Sequence, residues 1–186
     1  MRGRVLAAPA NCALRPTQDA VREAVFSMLA AVIRGSSFLD LYAGTGAVGL
    51  EALSRGAASV AWVEKNPKIA RVLESNVSAL CGGAPPQGSR IFRADAEQWL
   101  KRPPRPGGSV DIVFADPPYV EREGERDSMP ELAAAAAAGG ILAEGAFFVA
   151  EQREGTPLDT PCGFELLTRR RYGRTAVSLL KWVGGR

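Results

Sequence analysis

Hydrophobic residues form short unbroken runs in some parts of the chain and recur every three or four residues in others. Unbroken runs predict strands at 38–42, 59–64, 89–95 and 111–116, and the spaced residues between them predict helices. An earlier amphipathic helix is predicted over 17–33, because its apolar residues share one face behind a suitable N-cap, Thr17. Strands therefore alternate with helices through the first two thirds of the chain.

The last third continues this alternation and then changes. A helix is predicted from about Pro130 to Ala138, followed by a strand at 146–152. Two further strands at 164–172 and 175–183 are separated by a turn at Gly173, which predicts an antiparallel hairpin. The fourth strand is almost entirely apolar, as in sheets covered by helices on both faces. The pattern predicts an α/β fold with a doubly wound, mostly parallel sheet and a C-terminal antiparallel hairpin.

Length and composition narrow the classes of protein. A chain of 186 residues suits one domain, spanning 1–186. There is no histidine, which excludes Ser-His-Asp triads, Cys-His pairs and histidine-ligated metals. The 3 cysteines are widely spaced, so we expect neither a disulfide framework nor a zinc site. No apolar stretch is long enough for a membrane span or a signal peptide, and we expect a cytoplasmic protein. The net charge of +3 permits nucleic-acid binding without requiring it.

Acidic residues stand at or near the ends of the first four predicted strands: Asp40, Glu64, Asp95 and Asp116. In open α/β sheets, ligands bind at the carboxyl ends of the strands, near the point where the strand order reverses. The four acids are therefore expected to line one cleft.

A glycine-rich turn follows the first acid. Gly44, Thr45, Gly46 and Gly49 fit the GxGxxG pattern, so a nicotinamide cofactor is one interpretation. However, Asp40 would then face a negatively charged pyrophosphate. S-adenosylmethionine suits the acids better, because carboxylates favour its ammonium and sulfonium groups, Glu64 can accept from ribose hydroxyls and Asp95 from the adenine amine. Glycines let the backbone approach such a ligand closely.

The fourth strand ends in "DPPY", which is Asp116, Pro117, Pro118 and Tyr119. Two prolines restrict the backbone to one shape, so the Asp116 carboxylate and the Pro117 carbonyl can face the cleft together. Two fixed acceptors suit the two hydrogens of an exocyclic amine, and Tyr119 can stack on an extruded base. The motif thus favours methylation of a base amine.

Together these motifs resemble a known family. "DLYAGTG", the acid of "VEKN", "RAD" and "DPPY" are similar to the motifs of class I methyltransferases that act on exocyclic amines. More narrowly, "LRPTQDAVREAVFSML" followed by "FLDLYAGTGAVGLEALSRGA" resembles the RsmD-like family, bacterial enzymes that methylate N2 of a guanine in small-subunit ribosomal RNA. The resemblance implies a seven-stranded Rossmann-like methyltransferase sheet and S-adenosylmethionine as the cofactor, with no metal.

The resemblance also implies roles for individual residues. The methionine end of the cofactor would contact Asp40, Gly44, Thr45 and Gly46. The ribose would contact Glu64, and the adenine would contact Asp95 and Ala96. Residues 1–34 would form an N-terminal extension and a helix packing over the cofactor site, including a flap of Arg15, Pro16 and Thr17. Residues 116–119 would hold the guanine.

Arginines at both ends of the sequence are candidates for RNA phosphate contacts: Arg2, Arg4, Arg169, Arg170 and Arg171. Family members usually have a strand ahead of "GR", here Gly3 and Arg4, so we expect the RNA-facing surface to differ from theirs at this point. The expected partner is ribosomal RNA, within the small subunit or an assembly intermediate, with the protein acting as a monomer and away from membranes.

Several alternatives stay open. A DNA amine methyltransferase would use the same "DPPY" but normally needs additional sequence to read bases, and a protein-glutamine methyltransferase typically has Asn at the position of Asp116. An amine methyltransferase for another RNA base and a non-catalytic RNA-binding or assembly factor with the same fold are also compatible with the pattern.

Overall fold

The computed structural model describes residues 19–103, 109–118 and 128–184, in which strands alternate with helices until the last three strands. In chain order the elements are α1 (Asp19–Met28), β1 (Ser37–Leu41), α2 (Ala47–Ser54), β2 (Ser59–Val63), α3 (Pro67–Cys81), β3 (Arg90–Phe92), α4 (Ala96–Lys101), β4 (Val110–Ala115), α5 (Met129–Ala138), β5 (Leu142–Arg153), β6 (Phe164–Tyr172) and β7 (Thr175–Trp182).

All seven strands form one sheet in the order β3-β2-β1-β4-β5-β7-β6. The first five strands are parallel, and β7 is antiparallel to both β5 and β6. After β1 the chain moves outward through β2 and β3, then returns to place β4 on the other side of β1. The predicted α/β fold, with a doubly wound sheet and an antiparallel C-terminal hairpin, is confirmed.

Side chains alternate between the two faces of the sheet and form two apolar cores. Phe38 and Ile112 face one core, which includes residues of α1, α2 and α3, whereas Leu39 and Val113 face a second core with residues of α4 and α5. Helices on both faces explain why β4 is almost entirely apolar. None of the helices within the described part of the chain is long and apolar enough to cross a membrane.

Local signals in the sequence define both ends of α3. The side chain of Asn66 accepts hydrogen bonds from the backbone N–H groups of Lys68 and Ile69, and Pro67 opens the helix. Gly82 ends it with a φ of 78°, the left-handed conformation that glycine adopts at helix C-termini.

Several element boundaries differ from the prediction, most of them by one residue. Helix α1 ends at Met28 instead of 33, because the chain continues in tighter turns that still bury the apolar residues after it. Strand β1 stops before Tyr42, whose φ of 60° is incompatible with a strand. Strand β3 pairs with β2 over three residues only, and β5 begins at Leu142, well before 146. The proposed N-cap Thr17 lies outside the described residues.

Candidate functional site

The acidic residues lie at the carboxyl edge of the sheet. Asp40 is the penultimate residue of β1, and Glu64 and Asp116 directly follow β2 and β4. Asp95 caps α4 three residues after β3. Strands β1 and β4 are neighbours at the point where the strand order reverses, which is where open α/β sheets bind ligands.

Asp40 lies under the start of α2. The residue is 1% exposed, and its carboxylate accepts a 2.9 Å hydrogen bond from the backbone N–H of Gly49. Burial raises the pKa of Asp40 to about 8, the bond from Gly49 opposes this rise, and the negative charges of Asp116 and Glu64 add to it. The first strand therefore ends on a carboxyl group that a cationic ligand would ionise.

Glu64 connects two loops of the site. Its Oε2 atom accepts from the backbone N–H of Gly44 at 2.9 Å, and Oε1 accepts from the N–H of Asn66 at 2.7 Å. The side chain is buried. The glycine turn after β1 and the start of α3 are thus both anchored to one carboxylate, which keeps two acceptor oxygens at a fixed position beside the turn.

The three glycines of the GxGxxG pattern have different structural roles. Gly44, with a φ of 55°, would carry a Cβ atom into space with no neighbour nearer than 4.0 Å. A Cβ on Gly46 would overlap the side chain of Leu73, and one on Gly49 would overlap the indole of Trp62. Gly46 and Gly49 therefore permit close packing of α2, whereas Gly44 leaves backbone accessible to a ligand.

Asn76 of α3 holds the same turn from below. Its Nδ2 atom donates to the carbonyl oxygen of Thr45 at 3.0 Å, and the residue is 5% exposed. A buried side-chain amide bonded to a loop carbonyl fixes the backbone of that loop. The carbonyl of Thr45 is therefore turned away from the cleft, towards α3.

Tyr42 is the one residue other than glycine in the described ranges with a positive φ. A left-handed conformation strains a bulky residue, and such strain is concentrated at ligand sites. The half-buried phenol packs against the second core. Burial first, and then the charges of Glu97 and Asp95, raise its pKa to about 12. The phenol of Tyr42 therefore lies near the acidic residues at the start of α4.

Asp95 has two partners. Its Oδ1 atom accepts from the backbone N–H of Gln98 at 3.2 Å as the N-cap of α4, and Oδ2 lies 3.0 Å from Nζ of Lys65. The hydrogen bond from Lys65 lowers the pKa of Asp95, against the opposing effect of burial. Ala96, the first residue of α4, is buried. The third acid is therefore an ionised group at the rim of the cleft.

The "DPPY" stretch begins at the end of β4. Asp116 and Pro117 are half-buried and Pro118 is exposed, whereas Tyr119 lies outside the described residues. Because the Asp116 charge raises the pKa of Asp40, the two carboxyl groups share one electrostatic environment. A base amine held at Asp116 would therefore be next to a ligand bound over β1.

Sequence comparisons identify the family to which the chain belongs. Residues 1–181 match the family described as conserved hypothetical protein 95. Ribosomal RNA small subunit methyltransferase D of Escherichia coli K12 is 35% identical over 179 residues, covering 96% of this chain and 84% of that protein. The chain belongs to the RsmD-like family. The resemblance predicted from "LRPTQDAVREAVFSML" and "DPPY" is confirmed.

Solved structures agree with this assignment to the RsmD-like family. The Escherichia coli protein yhhF has a TM-score of 0.80 and 32% identity, with 97% of this chain and 93% of that one covered. A hypothetical protein of Thermus thermophilus has a TM-score of 0.73 and 32% identity, with 96% and 93% covered. The fold is therefore similar to the folds of these two proteins over nearly their whole length.

The remaining predicted site residues divide into two groups. Arg169, Arg170 and Arg171 are exposed on β6, the edge strand of the sheet. Arg169 donates to the carbonyl oxygen of Thr156 and Arg171 to that of Gly173. The N-terminal candidates lie outside the described residues: Arg2, Arg4, Arg15, Pro16 and Thr17.

Two residues of this RsmD-like site were missed by the sequence prediction. Asn76 falls on the apolar face of a regular helical pattern, and a buried polar residue at such a position is the signal that could have identified it. Tyr42 was predicted to continue a strand, since tyrosine favours strands and nothing in its identity indicates a left-handed backbone. No group of three or more His, Cys, Asp or Glu side chains in the described ranges is arranged to hold a metal ion.

Proposed function

We propose that the protein transfers a methyl group from S-adenosylmethionine to the exocyclic N2 amine of a guanine in small-subunit ribosomal RNA. The observation that carries this proposal is the position of Asp116 and Pro117 at the end of β4, beside the acid-lined end of β1. The name of the Escherichia coli relative, a ribosomal RNA small subunit methyltransferase, supports the choice of substrate.

The residues at the ends of β1, β2 and β3 fit S-adenosylmethionine. Asp40 and Glu64 offer buried carboxyl groups, and Gly44 has open space where a Cβ would be. We assign Asp40, Gly44, Thr45 and Gly46 to the methionine end. Glu64 would accept from the ribose hydroxyls, and Asp95 with Ala96 would contact the adenine. The bound cofactor supplies a methyl group on a sulfonium sulfur and leaves as S-adenosylhomocysteine.

Asp116 and Pro117 would activate the target by position rather than by removing a proton first. Their carboxylate and carbonyl oxygens each accept one N–H of the amine, which favours pyramidal nitrogen and frees its lone pair to attack the methyl carbon. Formation of the new N–C bond would be balanced by cleavage of the methyl–sulfur bond, whose electron pair the sulfur would keep. The methylated nitrogen then loses its extra proton to Asp116 or water, so no histidine is required.

Segments around the cleft complete the proposal. Pro118 stiffens the turn and Tyr119 would stack on the extruded guanine. Residues 1–34 would cover the cofactor, with Arg15, Pro16 and Thr17 as the flap, in a single domain spanning 1–186. We assign RNA phosphate contacts to the arginines at either end: Arg2, Arg4, Arg169, Arg170 and Arg171.

The sheet register supports phosphate contacts by the β6 arginines. Arg170 of β6 pairs with Val177 of β7, and Val177 pairs in turn with Glu151 of β5. Glu151 is one residue beyond the last residue of β5 that pairs with β4. They therefore lie at the same edge as Asp116, three strands away, or roughly 14 Å at the usual strand spacing. An RNA strand with its base at Asp116 would pass this edge, in a monomer acting on small subunits in the cytoplasm.

The decisive experiment offers labelled S-adenosylmethionine and purified protein to unmethylated small ribosomal subunits, to the same RNA without protein, and to DNA. The modified nucleoside is then identified by mass spectrometry. N2-methylguanosine is the expected product. Label in N6-methyladenine would contradict the guanine assignment, and no product despite tight cofactor binding would favour a non-catalytic RNA-binding factor.

A further inference from the structure

Glu151 is a buried acid that the proposed mechanism has not used. It lies near the end of β5 and is 4% exposed. Burying a carboxylate costs free energy, so such residues are concentrated where a site needs an acceptor. Its position in the sheet decides which site that is.

The strand register places Glu151 next to Asp116. Ala115 of β4 pairs with Ala150 of β5, and each acid is the next residue along the chain. Neighbouring strands are about 5 Å apart, so the two backbones run side by side. Asp116 therefore has β1 on one side and Glu151 on the other.

The side chain of Glu151 emerges on the face of the sheet that also carries Asp40. Val149, two residues earlier, and Val177, its partner on β7, both belong to the first apolar core, as does Phe38 two residues before Asp40. Because side chains alternate along strands, Glu151 and Asp40 share this face. However, β4 lies between β1 and β5, so Glu151 is separated from Asp40 by one strand.

We propose that Glu151 accepts a hydrogen bond from N1–H of the target guanine and so selects guanine over adenine. This inference rests on the proposed function. The Watson–Crick edge of guanine presents N1–H beside the N2 amine, whose two hydrogens are assigned to Asp116 and Pro117, so a third acceptor is needed next to them. Adenine and cytosine instead present an unprotonated ring nitrogen beside their amines. A carboxylate facing that lone pair would be repelled, and the base would be rejected.

The test uses an RNA substrate in which the methylated guanine, mapped beforehand, is replaced by 2-aminopurine. This base keeps the 2-amine but has no N1–H. We expect wild-type protein to methylate guanine at least about 100-fold faster, since sites that hydrogen-bond a substrate N–H strongly reject analogues without it. In Glu151→Gln, whose amide can donate to N1, the ratio of the two rates should fall by roughly tenfold or more.

Glu144→Gln is the matched control, because Glu144 is an exposed residue at the opposite end of the same strand. Its guanine to 2-aminopurine ratio should equal that of the wild type. Calorimetry with S-adenosylhomocysteine and thermal unfolding should show that Glu151→Gln still folds and binds cofactor. The wild-type ratio needs no variant, so equal rates on the two bases would overturn the inference even if the variant did not fold.

The two proposals fail in different ways. If N2-methylguanosine forms but the base ratio is unchanged in Glu151→Gln, the role of Glu151 is wrong and the proposed function stands. If the wild type forms no N2-methylguanosine on any RNA, the proposed function is wrong and the inference falls with it. A ratio that narrows in Glu151→Gln and not in Glu144→Gln supports both.

Discussion

The carboxylate of Asp40 accepts a 2.9 Å hydrogen bond from the backbone N–H of Gly49, in the first turn of α2. This contact links the end of β1 to the helix that follows the glycine turn. Burial, and then the charges of Asp116 and Glu64, raise the pKa of Asp40 to about 8 although the bond from Gly49 opposes the rise. The arrangement therefore makes the stability of the protein without cofactor dependent on pH.

Asp40→Asn should remove much of this pH dependence. Between the unfolded pKa of 3.8 and the folded pKa of about 8, the unfolded chain has released a proton that the folded chain retains. The free energy of unfolding therefore falls as pH rises, by up to about 1.4 kcal/mol per unit. Urea unfolding of both proteins at pH 5, 6, 7 and 8 measures this, and identical slopes would contradict the buried, protonated state.

Gly49→Ala should destabilise the protein by about 1–3 kcal/mol, because the added methyl group overlaps the indole of Trp62. Trp62→Phe frees space at that position, so the double variant should be more stable than the sum of the two single effects predicts. Denaturant unfolding of all four proteins measures the coupling. Strict additivity would show that the clash is absorbed elsewhere.

The sequence predicted the sheet well and the turns poorly, for physical reasons. Mostly apolar runs at β1, β2 and β4 indicate strands buried on both faces, and this signal is contained in the local sequence of each strand. The alternation also predicted that acids would collect at one edge. By contrast, the left-handed backbone of Tyr42 and the contact between Asn76 and Thr45 depend on tertiary packing, which residue identity does not encode.

Asp95→Asn and Asp95→Ala should separate the contribution of Asp95 to the cap of α4 from the contribution of its negative charge to cofactor binding. Asn can still accept from the N–H of Gln98, whereas Ala loses the cap of α4, so only Asp95→Ala should lower stability, by roughly 0.5–2 kcal/mol. If the Asp95 carboxylate accepts a hydrogen bond from the adenine amine, both variants should bind S-adenosylhomocysteine more weakly. Calorimetry and thermal unfolding report the two effects, and unchanged affinity in both variants would exclude Asp95 from the cofactor site.

Asn76→Ala should weaken cofactor binding several-fold, although Asn76 is not assigned a direct contact with the cofactor. Loss of the Nδ2 donor releases the Thr45 carbonyl, and the glycine turn then loses more conformational entropy when ligand binds. Ser75→Ala, an exposed neighbour on α3, is the control. Calorimetry with S-adenosylhomocysteine should distinguish them, and equal affinities would mean that the contact between Asn76 and Thr45 does not affect cofactor binding.

Asp116→Ala should keep cofactor affinity while methyl transfer falls by about two orders of magnitude or more, as when a fixed acceptor for the transition state is lost. Asp159→Ala, an exposed acid in the loop before β6, should leave turnover unchanged. Single-turnover rates with labelled S-adenosylmethionine measure both. Normal turnover in Asp116→Ala would remove Asp116 from the proposed mechanism.

The order of the strands has a consequence for the evolutionary history of the protein. All acids assigned to the cofactor come from residues 37–101, whereas Asp116 and Glu151 come from the later half of the chain, across the boundary between β1 and β4. If Asp116 and Glu151 hold the base as proposed, mutations in the later half would change the recognised base while the earlier half stays intact. Such a division lets one ancestral methyl donor site be inherited by descendants with different nucleic-acid targets.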